Sequence, residues 1–261
     1  MTQIAPDNVD QERERLERIA ELTDPATFRY LRKNIGVGEG WRCAEVGAGV
    51  GSVVKWLANR VGLYGRVDAV DIDTDLLDDV VAPNVRVIKQ DITATKLESE
   101  SYDLVHTKIL LMHLPDRERV LYELAAAVKP GGWLLVEECD IRSIQRVDPP
   151  SPLLTRGAVA LETFFYFMGA DPGYGMKLLP AVKRTGLTIG GTDCQLTAVQ
   201  VGTPEVKTVS MSLAKLAPAI LKAGLMSESE IAEAFRQLEE PGDTVIYTPT
   251  TISVWAQRPP A

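Results

Sequence analysis

The hydrophobic positions in the first half of this chain form short continuous runs. Between these runs lie segments in which apolar residues recur every three or four positions, the spacing of amphipathic helices. The continuous runs are typical of buried strands and lie at Arg42–Val46, 66–70, 85–88, 102–105 and 133–138. A regular alternation of strand and helix patterns predicts an α/β domain with parallel strands.

The second half of the chain follows a looser pattern. Helical spacing covers 153–168, 176–184, 204–221 and 228–238, and two long strand-like segments lie at 187–199 and 244–255. The first of these strands carries a candidate interruption at Gly190 and Gly191. The segment 200–243 between the two strands is far longer than a hairpin connection, which is typical of a functional insertion.

The N-terminal segment predicts two helices ahead of the first strand. A charged helix covers 11–22, and Asp24 followed by Pro25 has the pattern of an N-cap with proline at the first helical position. Gly36 is expected to end this second helix. Residues 1–40 are therefore expected to form a helical cap and 41–261 the main domain, with residues 1–10 frayed.

Composition narrows the function classes. The 261 residues carry a formal net charge of −8, and the sequence pI is about 5.0. Nucleic-acid-binding proteins usually present a basic face, so no nucleic-acid partner is expected. We read no signal peptide at the start and no apolar run of membrane-spanning length, which predicts a cytoplasmic protein without a membrane partner.

Cysteine and histidine usage excludes several kinds of site. Cys43, Cys139 and Cys194 lie far apart in strand-like surroundings, which predicts buried thiols in a reducing compartment rather than disulfides. His106 and His113 are the only histidines, so no histidine-rich metal site is expected, and no metal is predicted.

A glycine-rich loop follows the first strand. Gly47, Gly49 and Gly51 come directly after Val46, and a helical pattern begins at Ser52. Closely spaced glycines let a backbone turn sharply beside a ligand, and the N-terminus of the next helix points its free N–H groups there. Ser52 stands where the dinucleotide-binding fingerprint has its third glycine or alanine, so the loop departs from that fingerprint. The glycines are not followed by Lys and Ser or Thr, which excludes a P-loop. A glycine turn without a ligand stays open as an alternative.

Acidic residues follow the second strand, about 20 residues beyond the glycine loop, where nucleotide-binding folds place a carboxylate on ribose hydroxyls. Asp71 comes directly after the apolar run and is the candidate for this role. Asp73 is interpreted as a cap for the following helix, and Ile72 is expected against an adenine ring. By position alone, Asp71 could also be only a cap.

The segment from Glu45 to Gly51 resembles motif I of the class I S-adenosylmethionine-dependent methyltransferases of small-molecule type. Two further segments resemble the same family: the one around His113 and the Lys129-Pro130-Gly131-Gly132 turn. The resemblance covers residues 40–140 closely. It implies a doubly wound, seven-stranded, mostly parallel sheet whose last strand is antiparallel, with S-adenosyl-L-methionine as cofactor.

The resemblance also implies the cofactor-binding residues. Asp91 would reach the adenine amine with Ile92 packed on the ring, although an acid that only closes a turn is a strong alternative for Asp91. His106 would form a wall on the cofactor side. The other residues that match family positions at the cofactor are Glu45, Gly47, Ala48, Gly49, Gly51 and Thr107.

Segments 141–176 and 200–243 are interpreted as insertions that form a substrate lid. Phe164, Phe165 and Tyr166 concentrate aromatic residues near the carboxyl end of the sheet, and Asp171 lies in the loop that follows. These four residues are the candidate substrate contacts. An aromatic stripe of this kind is, however, more often ordinary core.

The reaction predicted by the resemblance is in-line transfer of a methyl group from a sulfonium to a small, partly apolar acceptor. Positioning supplies much of such catalysis, and His113 is the candidate general base by chemical type. A backbone hydrogen bond is the alternative role for His113, and Glu138 and Asp140 are rival bases or acceptor anchors.

Two other functions stay open: a methyltransferase-like protein with a regulatory, cyclase or decarboxylase role, and a nucleotide-dependent oxidoreductase, which Ser52 disfavours. The oligomeric state is open, with a homodimer as one candidate.

Overall fold

A seven-stranded sheet forms the centre of the computed structural model, which describes residues 9–260. Ten strands occur in this range: β1 (Arg42–Val46), β2 (Arg66–Asp71), β3 (Val85–Lys89), β4 (Tyr102–Lys108), β5 (Val128–Asp140), β6 (Val147–Asp148), β7 (Thr188–Gln195), β8 (Ala198–Gln200), β9 (Val245–Tyr247) and β10 (Thr250–Gln257). The main sheet has the order β3-β2-β1-β4-β5-β10-β7. Only β10 runs antiparallel to its neighbours. The predicted doubly wound, seven-stranded, mostly parallel sheet is confirmed.

Seven α-helices surround the sheet within the described range: α1 (Val9–Arg29), α2 (Ser52–Val61), α3 (Arg117–Ala127), α4 (Pro152–Phe167), α5 (Leu178–Arg184), α6 (Lys207–Lys222) and α7 (Glu228–Glu239). Local sequence fixes several of the starts. Ser151 caps α4 with Pro152 in its first turn, and Ser227 with Glu230 forms a capping box on α7. None of these helices is long and apolar enough to cross a membrane.

The N-terminal segment is one helix rather than the two expected. α1 continues through Pro25 into a π-helical turn, Tyr30–Ile35, that ends at Gly36. The prediction of a helix start at Asp24 is wrong, because its carboxylate pairs with Lys108 of β4 instead of capping a helix. The hydroxyl of Thr23 donates to the Ile19 carbonyl at 2.9 Å in the turn that precedes the proline. The expected fraying of residues 1–10 falls largely on residues outside those described.

The two long strands expected in the second half are each divided. β7 and β8 are separated at Leu196-Thr197, and β9 and β10 at Thr248-Pro249. Pro249 lacks an N–H to donate to a ladder, which favours a break there. At Gly190-Gly191, where an interruption is expected, β7 continues but its pairing with β10 shifts register: Trp255 pairs with Gly191 and Ala256 with Ile189, which leaves Gly190 without a pairing partner. β7 is one of the two edge strands of the sheet, and Cys194 on it is exposed, so the expectation that it is buried is wrong; Cys43 and Cys139 are buried as expected.

The segments expected as insertions pack into a unit with its own core. α4, α6 and α7 enclose apolar residues together with the small sheet β6-β9-β8; we call these six elements the outer unit. Its core includes Phe164, Leu213, Ile220, Ile231 and Ile246. The outer unit follows the ends of β5 and β7, so it lies at the carboxyl edge of the parallel strands, where open α/β sheets bind ligands.

Candidate functional site

Three glycines shape the loop between β1 and α2. Gly47, Gly49 and Gly51 all have positive φ, at 77°, 53° and 72°, a region that favours glycine. A Cβ on Gly51 would lie 2.4 Å from Val80, and one on Gly47 would lie 3.3 Å from the Leu110 side chain. A Cβ on Gly49 would have no described atom within 4 Å. Two of the glycines therefore permit close packing, and Gly49 borders open space.

Asp71 connects this loop to the end of β2. Its carboxylate accepts the backbone N–H of Gly49 at 2.9 Å and that of Asp73 at 3.1 Å. Burial raises the pKa of Asp71, and the N–H groups partly oppose this effect. Asp73 accepts the N–H of Asp75 at 3.2 Å and so begins a short 3₁₀ turn, Asp75–Leu77, in place of the longer helix expected there.

A cavity of about 200 Å³ lies over Gly49 and the end of β2. The Asp71 carboxylate is on one wall, beside the Ile72 side chain, which is 43% exposed. The remaining lining residues are Asp73, Asp75 and Leu76, with Val9, Glu12 and Leu16 from α1 and Lys215 from α6. An open glycine, a carboxylate and an apolar surface side by side fit a nucleoside group with a ribose diol. Among the residues predicted at the cofactor, the structure thus brings Gly49, Asp71 and Ile72 together.

His106 lies behind the glycine loop rather than on this wall. Its ring is fully buried, with Nδ1 2.5 Å from a Glu45 oxygen and Nε2 3.1 Å from a Glu137 oxygen. Burial acts to lower the pKa of His106, but the two carboxylates outweigh it and raise the pKa to about 9. The expectation of His106 as a cofactor-side wall does not fit this placement, because both ring nitrogens are engaged inside the sheet. Glu45 is likewise buried, with its carboxylate against His106.

The same buried network attaches α1 to the sheet. The hydroxyl of Thr27 on α1 donates to Glu137 at 2.6 Å, and that of Ser253 donates to the other Glu137 oxygen at 2.6 Å. The ion pair of Lys108 with Asp24 adds a second attachment. Thr107, predicted at the cofactor, is fully buried, and its hydroxyl has no hydrogen-bond partner among the described residues. A ligand at the loop would be one way to satisfy this hydroxyl.

Glu138 holds the segment after β4. Its buried carboxylate accepts the backbone N–H groups of Leu110, Leu111 and Met112 at 3.1, 2.6 and 3.3 Å. Burial raises the pKa of Glu138 to about 8, although these three N–H groups favour its ionised form. Asp140 is also engaged, because Arg142 donates to its two oxygens at 2.8 and 2.6 Å. Both carboxylates therefore already have protein partners.

His113 lies on the short 3₁₀ turn Leu111–His113 that follows β4. The turn that carries it places the Leu110 side chain against Gly47, and the His113 ring is 5.7 Å from that of Phe165. The ring keeps accessible surface, yet the dense protein around it, followed by the charges of Arg15, Lys215 and Arg117, lowers its pKa to about 4. The lowered pKa favours the neutral form of the His113 imidazole near pH 7.

The other candidate substrate residues are spread over three places. Phe165 packs between the main core and the core of the outer unit, whereas Phe164 is buried in the outer unit. The Tyr166 side chain is 53% exposed. Asp171 accepts from Lys177 at 2.6 Å and lines a separate, more open cleft of about 430 Å³ between α3 and the loop 171–177. Only Phe165 is brought next to His113.

Asp91 and Ile92 are not among the residues that line the 200 Å³ cavity. The Asp91 carboxylate accepts the N–H and the hydroxyl of Thr93 at 2.8 and 2.6 Å, which closes a turn. The Ile92 side chain is buried in the main core. Their assignment to the adenine ring stays a prediction. Within residues 9–260, the structure contains no group of three or more His, Cys, Asp or Glu side chains that could hold a metal ion.

Three site residues were missed in the sequence: Glu12 and Arg15 of α1, and Lys215 of α6. Arg15 donates to Glu12 at 2.7 and 2.9 Å, and Lys215 donates to Glu12 at 2.6 Å. The only local signal was Lys215 itself, a single charge within the apolar stretch of α6. The pairing joins residues 203 positions apart, so no local pattern announces it.

Residues 44–136 match the family described as a methyltransferase domain. The methyltransferase str2 of Strobilurus tenacellus is 32% identical over 155 residues, which cover 58% of this chain and 54% of that protein. The chain therefore spans about half the length of this curated relative.

Solved structures share the fold at low sequence identity. A crystal structure from Bacillus halodurans C-125 matches with a TM-score of 0.59 and 16% identity, covering 91% of this chain and 99% of that one. The cyclase SpnF matches with a TM-score of 0.55 and 16% identity, covering 92% of this chain and 81% of that one. These likenesses show a common fold.

Proposed function

We propose that this chain is a class I S-adenosylmethionine-dependent methyltransferase that methylates a small, partly apolar acceptor; residues 44–136 match the family described as a methyltransferase domain. The observation that carries the proposal is the cavity in which Gly49, Asp71 and Ile72 meet. The net charge of −8 favours a small-molecule partner over a nucleic acid. A cytoplasmic location is part of the proposal.

The residues of the cavity suit the cofactor. In the proposed complex, Asp71 accepts from the ribose hydroxyls, Ile72 packs on the adenine ring, and Gly49 leaves room for the methionine part. The hydroxyl of Thr107, which lacks a partner among the described residues, is available at the end of β4. S-adenosylmethionine supplies a methyl group already activated on its sulfonium. The protein therefore needs mainly to hold two reactants in line and exclude water.

We place the acceptor beside His113 and the outer unit. Phe165 offers an aromatic surface there, at 5.7 Å from the histidine ring. His113 is the proposed base because its ring is neutral near pH 7 and retains accessible surface. Its lowered pKa makes it a weak base, which suits an acceptor atom that loses its proton easily. Glu138 and Asp140 act on the acceptor indirectly in this proposal, by positioning segments 110–112 and 140–142.

A second candidate is a methyltransferase-like protein that binds the cofactor without transferring the methyl group. The weak basicity of His113 favours this candidate, since a reaction without proton removal makes no use of a strong base. In such a protein, the sulfonium charge would stabilise a cyclisation or decarboxylation, or cofactor binding would have a regulatory role.

Methyl-labelled S-adenosylmethionine separates the two candidates. The purified protein is incubated with labelled cofactor and a set of aromatic and aliphatic acceptors, and products are followed by mass spectrometry. Native mass spectrometry of the same preparation reports copurified cofactor. The proposal expects both bound cofactor and a labelled methyl group on an acceptor. Bound cofactor with every acceptor recovered unmethylated but rearranged or decarboxylated would support the second candidate instead.

A further inference from the structure

The turn that follows β4 contains a residue in a backbone conformation that its side chain disfavours. Ile109 has a φ of 52°, and among residues 9–260 the only other non-glycine residue in the left-handed region is Glu100, with a φ of 51°. A β-branched side chain is strained there, because its Cβ lies too close to the following carbonyl oxygen. Such strain persists only where the surrounding contacts fix the conformation, and it is common at functional sites.

The buried carboxyl group of Glu138 supplies most of these contacts. It accepts the backbone N–H groups of the three residues that follow Ile109, at 3.1, 2.6 and 3.3 Å. The N–H of Ile109 itself donates to the Glu137 carbonyl at 2.7 Å. A carboxyl group has two oxygens with lone pairs, so it can accept all three N–H groups at once. Four successive N–H groups, from Ile109 to Met112, are therefore fixed on two successive residues of β5.

The same turn contacts the glycine loop at one end and carries His113 at the other. The Leu110 side chain lies against Gly47, where an added Cβ would be 3.3 Å from it. The N–H of His113 donates to the Leu110 carbonyl at 3.0 Å, which links the two residues. The His113 ring is 5.7 Å from that of Phe165. The conformation of this turn therefore determines where the proposed base lies relative to the glycine loop.

We propose that Ile109 and Glu138 act together as positioning residues for the methyl transfer. The Glu138 carboxyl group holds the turn 109–113 in a strained form, in which Leu110 rests on the glycine loop and His113 lies beside the proposed acceptor. When this hold is weakened, Ile109 relaxes out of the left-handed region, and the turn moves His113 with it. The inference deepens the proposed function by assigning how its base is placed, and it rests on that function.

Histidine NMR tests the proposal without turnover, because His106 and His113 are the only histidines in the chain. The ring signals of His113 report its position relative to the aromatic ring of Phe165, and those of the fully buried His106 provide an internal control. In untagged Glu138→Gln protein we expect the His113 signals to shift and the His106 signals to stay in place. Glutamine has a single acceptor oxygen with two lone pairs, so it can accept at most two of the three N–H groups.

A second substitution, at Ile109, assigns the effect to strain. Glycine adopts a left-handed φ freely, so Ile109→Gly protein needs a weaker hold to keep the turn in its form. Adding Glu138→Gln to Ile109→Gly should therefore shift the His113 signals by less than about half as much as Glu138→Gln alone. Ile109→Val is the matched control, because valine is also β-branched and equally strained, and the full shift should persist in its background.

Two further variants complete the design. Glu100→Gly relieves a comparable φ at an exposed residue outside the turn, and the full shift on adding Glu138→Gln should persist in its background too. Thermal melting identifies any variant that fails to fold. If Glu138→Gln does not fold, Glu138→Asp takes its place, since it draws the carboxyl group back from the N–H groups by one methylene and should also shift the His113 signals.

Two outcomes would overturn the proposal. The first is a folded Glu138→Gln protein whose His113 signals coincide with those of wild type. The second is a shift of equal size in the Ile109→Gly and Ile109→Val backgrounds, which would show that strain at Ile109 has no part in placing the turn. Titration of S-adenosylhomocysteine into wild type tests the proposed function separately. If it does not bind, the proposed function fails, and the histidine signals of the free protein still decide whether Ile109 and Glu138 place His113.

Discussion

The backbone N–H of Gly49 donates to the carboxylate of Asp71 across 2.9 Å, which joins the glycine loop to the end of the neighbouring strand. This bond leaves the other Asp71 oxygen to accept the Asp73 N–H. A carboxylate has about four lone-pair positions, so Asp71 keeps capacity for further donors. The loop and its acidic partner are thus held in position on the cavity wall by contacts within the protein.

Asp71→Ala should weaken binding of S-adenosylhomocysteine by about 1–3 kcal/mol, roughly 5- to 150-fold, because ribose hydroxyls and the Gly49 N–H lose an acceptor. Asp73→Ala is the matched control, since Asp73 serves the short turn at Asp75 and should cost binding much less. Calorimetry on both variants checks this. A larger loss of affinity for Asp73→Ala than for Asp71→Ala would show that Asp73, and not Asp71, binds the ribose.

The buried pair of carboxylates around His106 predicts a pH dependence of stability. The pKa of His106 is raised to about 9 in the folded protein, against about 6.5 for an unperturbed histidine. Its contribution to stability is therefore complete below about pH 6.5 and is lost as the pH rises through about 9. Denaturant unfolding of wild type and His106→Asn should show a stability difference that shrinks by on the order of 3 kcal/mol across this window. A difference that stays constant with pH would show that His106 is neutral in the folded protein.

Phe165→Ala should raise the acceptor KM by about tenfold and leave cofactor affinity within about twofold, because the Phe165 ring lies 5.7 Å from that of His113, where we place the acceptor. Tyr166→Ala provides a neighbouring aromatic truncation at a side chain that is 53% exposed, and we expect a smaller change in KM. Steady-state kinetics with an acceptor that the protein methylates, together with melting temperatures, distinguish contact with the acceptor from packing in the core. If Phe165→Ala lowers only the melting temperature, with normal turnover, the ring is ordinary core.

The outer unit is expected to act as a lid. α6 contributes Lys215 to the cavity wall and is tied to α1 through Glu12. Amide exchange in α6 and α7 should slow by about tenfold or more when cofactor and acceptor are both bound, with smaller changes in β1 and β4. Hydrogen-exchange mass spectrometry measures this directly. Equal exchange in the free and bound protein would assign the outer unit a purely structural role.

The parts of the fold predicted correctly are those that local sequence determines. The glycine loop and the acid at the end of β2 each follow from spacing within a few residues. Periodicity likewise placed α6 and α7 inside the expected insertion. In these segments, propensity, capping and hydrophobic pattern agree with the final structure.

The predictions that fail concern residues whose surroundings are determined by side chains far away in the sequence. Asp24 before Pro25 has a sound helix-start pattern, yet Lys108, 84 residues away, takes its carboxylate and the helix continues. His106 follows an apolar run as a cavity residue would, but carboxylates on β1 and β5 enclose it. The Glu12, Arg15 and Lys215 cluster joins α1 to an insertion near the other end of the chain. No local pattern carries such information, so these features emerge only from the tertiary structure.

Titration of S-adenosylhomocysteine into wild type and Gly49→Val tests the central claim most directly. Gly49 has a φ of 53° and open space beside it, so a valine side chain would fill the room left for the ligand. Gly186→Val is the control for backbone strain, because Gly186 has a φ of 83°, similarly open surroundings and a place at the end of α5. The account predicts one-to-one binding to wild type and to Gly186→Val, and loss of at least about 100-fold in affinity for Gly49→Val. Unchanged affinity in folded Gly49→Val protein would contradict it.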